Sequence, residues 1–152
     1  MKYALFAGLL TLFISCNSSS KDENVDFVKQ NDADISAYVK ENNLTATKTD
    51  SGLYYVITEP GTGAQPTATS NVTVAYKGSF LNGKVFDESG ADGISFPLNQ
   101  VIKGWTEGIP LLKEGGSGIL LIPAHLGYGE SDRNGIPGGS VLIFNVKLIS
   151  VN

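Results

Sequence analysis

A chain of 152 residues and 16.1 kDa, 41% hydrophobic and 17% charged, holds one domain of ordinary size plus a short extra segment. Eleven lysines and arginines against fifteen aspartates and glutamates leave a net charge of −4, so no basic field exists to hold nucleic acid or to draw the protein to anionic lipid by charge alone. One cysteine and one histidine neither close an internal disulfide nor build a zinc site of the His/Cys kind, and 18 glycines beside recurrent Val, Ile, Tyr and Phe point to short strands joined by tight turns.

Met1-Lys2 gives a positive start, and Tyr3 to Ile14 is apolar apart from Thr11. That run is shorter than the roughly 20 residues that span a bilayer, so residues 1–15 read as a secretory signal. Phe13-Ile14-Ser15-Cys16 resembles the lipobox of bacterial lipoproteins, with Phe13 where leucine is usual. The resemblance implies a diacylated Cys16 at the mature N-terminus and a lipid anchor in a bacterial cell envelope, on the periplasmic face or the cell surface. Residues 16–49 follow as acylated cysteine, polar tether and short helix. From Asn17 to about Asp32 there is too little apolar surface to fold alone. Lys21-Asp22-Glu23 within it reads as an ordinary solvated stretch. Ile35, Tyr38 and Val39 share one helical face, and Asp34 is placed to cap a short helix ending near Asn42-Asn43.

The globular domain is expected over residues 50–152. Leu53 to Thr58 is a first strand, closed by Pro60-Gly61-Thr62-Gly63. Val72, Val74 and Tyr76 alternate with Thr73, Ala75 and Lys77, the period of a strand with one buried face. Leu81-Asn82-Gly83-Lys84 carries an Asn-Gly turn signal before Val85-Phe86-Asp87. Gly104 to Leu112 is the one helix of the domain, with Trp105, Ile109 and Leu112 at helical spacing and Gly115-Gly116 behind it. Ser117 to Pro123 and Val141 to Val151 are the last strands, joined by a glycine-rich loop over Gly127 to Ser140. The pattern is α+β: an antiparallel sheet of four to six strands with one short helix that must cover a sheet face.

The runs Val72-Thr73-Val74-Ala75-Tyr76-Lys77-Gly78, Asn82-Gly83-Lys84-Val85-Phe86-Asp87, Phe96-Pro97-Leu98, Gln100-Val101-Ile102-Lys103-Gly104-Trp105, Glu107-Gly108, Ile122-Pro123-Ala124-His125-Leu126-Gly127-Tyr128-Gly129 and Val141-Leu142-Ile143-Phe144-Asn145-Val146 resemble, in order, the FK506-binding (FKBP) family of peptidyl-prolyl cis–trans isomerases. The resemblance implies a curved antiparallel sheet wrapped around the short helix, with the active site in the hollow between them. It places Tyr76, Phe86, Asp87, Ile102, Trp105, Tyr128 and Phe144 in the catalytic hollow. Phe96 and Val101, with Ile136 of the glycine-rich loop at the rim, would complete a pocket for substrate or inhibitor. Trp105 would form the floor, the phenylalanines the walls, and the Ile102 N–H and Tyr128 hydroxyl would hold substrate carbonyls. Proline-containing polypeptides of the export pathway are the implied substrates and FK506-like macrolides the implied inhibitors, with no metal or cofactor.

Taken singly, Phe86, Phe96, Phe144 and Trp105 are ordinary core aromatics, Tyr76 and Tyr128 ordinary strand and loop tyrosines, and Asp87 a strand-end acid. Their joint register is what turns them into a site. His125 lacks ligand partners nearby in sequence and reads as an exposed loop residue. Two other functions remain open: a binding or chaperone module on the same fold with little catalysis, and a noncatalytic surface adhesin. One departure from the family stands out, because members often carry an arginine five residues after the aspartate matching Asp87, and Asp92 holds that place here. Glu88 to Gly93 contains no cation, so Asp87 must find Tyr76, a backbone N–H or water as its partner. A looser loop and weaker macrolide binding than in arginine-bearing relatives are expected.

Overall fold

The computed structural model describes residues 25–152. The expected signal segment, Cys16 and the Lys21-Asp22-Glu23 stretch lie outside the described residues. In chain order the elements are helix α1 (Phe27–Glu41), strands β1 (Thr47–Lys48), β2 (Tyr54–Glu59), β3 (Asn71–Ser79), β4 (Val85–Glu88) and β5 (Ile94–Pro97), helix α2 (Lys103–Gly108), and strands β6 (Ser117–Ile122) and β7 (Leu142–Val151).

The strands form a single sheet of seven in the order β1-β2-β6-β7-β3-β4, with β5 also on β3, and every pairing is antiparallel. The count exceeds the expected four to six for two reasons. The two-residue β1 adds an edge. The chain after β3 also splits: Ser89-Gly90-Ala91-Asp92-Gly93 interrupts it, so β4 pairs with Lys77 to Ser79 and β5 with Asn71 to Val74.

The alternation read from sequence sorts the sheet's two faces. Val72 and Val74 on β3, Leu120 and Ile122 on β6, and Leu142, Phe144, Val146 and Leu148 on β7 join Trp105, Ile109 and Leu112 in the main core. Leu121 and Ile143 point the other way, where Ile35 of α1, fully buried, covers them. Two helices thus cover opposite faces of the sheet.

Helix α2 lies very close to β6. A Cβ on Gly104 would stand 2.6 Å from Ile122 Cγ2, and one on Gly108 would stand 2.8 Å from Leu120 Cδ1. These glycines are four residues apart, so they form one smooth helix face that lets Trp105 reach into the hollow. The helix is shorter than the expected Gly104 to Leu112 and continues as a 3-10 turn over Ile109–Leu111. Pro110 has no N–H to carry the α-helical ladder onward.

Helix α1 differs more from expectation. It starts at Phe27, and Asp26 rather than Asp34 caps it, its side chain accepting from Lys29 N–H at 3.2 Å. Residues 27–32, read as tether, are its first turns. Lys48 on β1 pairs with Asp32 of the helix, and Tyr54 OH donates to the same carboxylate at 2.8 Å. The Lys48 ammonium and then this hydroxyl hold the Asp32 carboxyl below its ordinary range.

Candidate functional site

A hollow of about 530 Å³ opens between α2, the C-terminal half of β3, and the loop that follows β6. Its volume falls in the range of small-ligand sites. Trp105 is its floor. The indole, 5% exposed, meets Tyr76 edge-on at 5.0 Å between ring centroids, Phe144 edge-on at 5.1 Å and Phe96 tilted at 5.2 Å. Edge-to-face contacts of this kind hold rings in fixed orientation beyond what area burial supplies. The buried indole N–H has no hydrogen-bond partner among the described residues, so Trp105 contributes here as a surface and not as a donor.

The sheet sets the other walls by register. Gly78 on β3 pairs with Asp87 and with Phe144, so these two side chains stand on the same face as Tyr76, two residues away from Gly78. Between Gly78 and Ser79 the register against β4 slips by one residue, making Phe86 the extra residue of a β-bulge. Regular pairing would send Phe86 to the opposite face, whereas a bulge re-aims a side chain. Phe86 instead packs edge-on against Phe144 at 5.5 Å and tilted against Phe80 at 4.9 Å. The space it uses is that of the missing Gly78 side chain, where a Cβ would stand 2.7 Å from Phe86 Cζ and 2.8 Å from Phe144 Cε1.

Of the residues expected in the site, Tyr76, Asp87, Phe96, Val101, Ile102, Trp105, Tyr128 and Phe144 line the hollow. Phe86 and Ile136 do not. Phe86 is a second layer behind Phe144, and Ile136, at 6% exposure, belongs to the main core beneath its loop rather than to a rim. The turn that Ile136 closes with Arg133, through reciprocal backbone hydrogen bonds of 2.9 Å, folds it inward. Besides His125, five lining residues are not marked as site residues by the sequence: Ile94, Gln100, Lys103, Gly127 and Arg133. Ile94 lies on β5, a strand that the sequence pattern does not announce; Gln100, Lys103 and Gly127 sit inside the family-like runs without a site role attached, and Arg133 lies in none of them. His125 is exposed, as expected, yet it also borders the hollow and its Nε2 lies 2.7 Å from the Ser51 carbonyl.

Two donors belonging to lining residues have no intramolecular acceptor among the described residues, the Ile102 backbone N–H and the Tyr128 hydroxyl. Ile102 is free because it is the N-cap of α2: its carbonyl already accepts from Trp105 and Thr106, while its own N–H precedes the helical ladder. Asp87 does find the partner expected for it, since Tyr76 OH donates to its Oδ2 at 2.7 Å.

Burial first, then the hydrogen bond to Asp87 and its negative charge, push the Tyr76 phenol up to about 12. Because the folded value exceeds the ordinary 10.0, the resulting stability is present below pH 10 and fades as pH rises through about 12. Tyrosinate absorbance should show one ring that stays protonated when ordinary tyrosines ionise. Asp87→Asn should bring that ring back toward 10; an unchanged titration would mean that Asp87 does not govern Tyr76.

Residues 63–149, more than half of the chain, match the family described as FKBP-type peptidyl-prolyl cis-trans isomerase. The chain is 40% identical over 129 residues to FKBP-type peptidyl-prolyl cis-trans isomerase FkpA of Aeromonas hydrophila, a match covering 84% of this chain and 47% of that protein. To FkpA of Escherichia coli K12 it is 42% identical over 116 residues, covering 75% and 42% respectively. Among solved structures, a peptidyl-prolyl cis-trans isomerase from Pseudomonas syringae pv. tomato superposes with a TM-score of 0.73 at 28% identity, covering 83% of this chain and 93% of that one. FkpA from Escherichia coli superposes with 0.70 at 38% identity, covering 82% and 62%. The match spans less than half the length of the two curated FkpA relatives. With the fold, the order of its motifs and the aromatic hollow all in agreement, the chain belongs to the FKBP-type peptidyl-prolyl cis-trans isomerase family.

Proposed function

We propose that the chain catalyses cis–trans isomerisation of X-Pro bonds in exported polypeptides. The observation that carries this reading is the aromatic hollow floored by Trp105 and lined by two donors without an intramolecular acceptor among the described residues. Rotation about an amide must break its resonance, a barrier of about 18–20 kcal/mol. The twisted amide is less polar along C–N than the planar one, so an apolar enclosure stabilises it relative to the hydrated ground state. Each 1.4 kcal/mol gained in this way is about tenfold in rate. Trp105 supports the proline ring and Phe96 and Phe144 confine it. Ile102 N–H and Tyr128 OH hold carbonyls on either side, fixing one part of the peptide while the other turns. Asp87, oriented by Tyr76, faces the turning carbonyl. No step requires a nucleophile or proton transfer.

The test is a protease-coupled proline peptide assay, or proline-limited refolding, with and without FK506. Turnover blocked by FK506 supports the reading. FK506 binding without turnover would make the chain a binding or chaperone module, and the absence of both would favour an adhesin. Tyr128→Phe removes one hydrogen bond and keeps the ring, so it should lower kcat/KM by about two- to tenfold. Loss of folding instead would make Tyr128 structural.

The proposed setting is a bacterial envelope, with the chain held at a membrane by acyl groups on Cys16. The lipobox-like Phe13-Ile14-Ser15-Cys16 supports this. Cys16→Ala should move the protein from the membrane to the soluble fraction; no movement would refute the anchor.

A further inference from the structure

Phe27, Asn31 and Ile35 stand at four-residue intervals on α1, on the face turned toward the domain, and the middle one is polar. Asn31 is 2% exposed, and a carboxamide buried that deeply is costly unless its donor and acceptor are both used. Both are. Its Nδ2 donates to the Gly139 carbonyl at 3.0 Å, and its Oδ1 accepts from the Ala124 N–H at 2.8 Å.

Ala124 and Gly139 are the two ends of the loop that carries Tyr128 to the hollow. Inside that loop, Gly129 N–H donates to the Ala124 carbonyl at 2.8 Å and Gly139 N–H donates to the Gly129 carbonyl at 3.0 Å. Together with Asn31 these bonds close a circuit of four groups, and the Ala124 carbonyl also accepts from the Gly127 N–H at 3.0 Å. Gly129, next to Tyr128 in the chain, is one of its corners. Phe27 seals the base: a Cβ on Gly139 would stand 2.0 Å from Phe27 Cε1, and Gly139 has φ +74°, a conformation that side chains other than glycine's disfavour.

We propose that Asn31 is a positioning residue for the isomerase site, by which α1 fixes the base of the 124–139 loop and thereby sets the Tyr128 hydroxyl at the edge of the hollow. The proposal rests on the isomerase reading above. It makes α1 part of the working enzyme. A loop rich in glycine has many conformations of similar energy, and tying its ends through a residue on a separate element removes that freedom before substrate arrives.

The test is a double-mutant cycle on the full chain. Asn31→Ala should lower kcat/KM by about two- to tenfold, as Tyr128→Phe does, and the double variant should be no worse than Asn31→Ala alone. If Asn31 only stabilises the fold, Tyr128→Phe will cost the same factor in both backgrounds, and the proposal falls. Should Asn31→Ala fail to fold, hydrogen exchange on the parent chain decides. The Ala124, Gly129 and Gly139 amides should exchange as one unit, whereas an Ala124 amide exchanging much faster than that of Gly129 would overturn the circuit. If the parent chain turns over no proline peptide, the isomerase reading fails by itself. The same cycle read on FK506 affinity and the exchange pattern then still test the positioning role.

Discussion

Trp105→Leu should cut FK506 affinity and proline turnover by at least about tenfold while costing the fold only about 1–3 kcal/mol. The asymmetry follows from what the indole does. It is the common neighbour of Tyr76, Phe96 and Phe144, with centroid distances of 5.0, 5.2 and 5.1 Å, and aromatic pairs of this geometry are each worth about 0.5–1.5 kcal/mol beyond their burial. Leucine fills part of the volume and keeps the floor apolar, which limits the cavity. The buried indole N–H has no partner among the described residues, and its removal relieves a desolvation penalty of about 1–3 kcal/mol that offsets part of the lost packing. Nothing comparable offsets the loss of a flat surface beneath a proline ring. Calorimetric titration with FK506 beside a thermal melt separates the two effects. Unchanged affinity would remove Trp105 from the site.

Gly78→Ala should damage both stability and catalysis, although it adds one methyl group at a strand position of ordinary backbone geometry. The new Cβ would stand 2.7 Å from Phe86 and 2.8 Å from Phe144, closer than carbon atoms approach. Overpacking of this kind costs about 1–3 kcal/mol, seen as a melting point lower by several degrees. Relief can come only from moving Phe86 or Phe144. Phe144 also holds the floor through Trp105 and Tyr76, and small misplacements at a site can cost about a hundredfold in rate, so kcat/KM should fall between about ten- and a hundredfold. Trimming the second-layer ring in Gly78→Ala with Phe86→Leu should restore much of the stability. A Gly78→Ala variant as stable and active as the parent would show that the bulge is not what shapes the wall.

The residues that the chain's own pattern reveals are those whose burial repeats along one segment. Val72, Val74 and Tyr76 announce a face of β3, Leu142, Phe144, Val146 and Leu148 a face of β7, and the ordered motifs bring eight of the ten expected pocket residues to one hollow. Burial with a period of two or of 3.6 is a local property, visible before any partner is known. The tertiary structure decided the rest. Phe86 reaches the aromatic cluster only because the β3–β4 register slips beside it, and register depends on both strands. Ile136 is drawn inward by a turn, although its glycine-rich surroundings read as rim. Helix α1 begins at Phe27, capped by Asp26, and its first turns are hidden in the sequence because Asn31 interrupts the apolar stripe with an amide. A buried asparagine is indistinguishable from a solvated one until its partners are placed, and these lie 93 and 108 residues away at Ala124 and Gly139. Apolar burial is non-directional and leaves a periodic trace in sequence, whereas a satisfied buried amide depends on the direction and distance of groups that only the folded chain brings together.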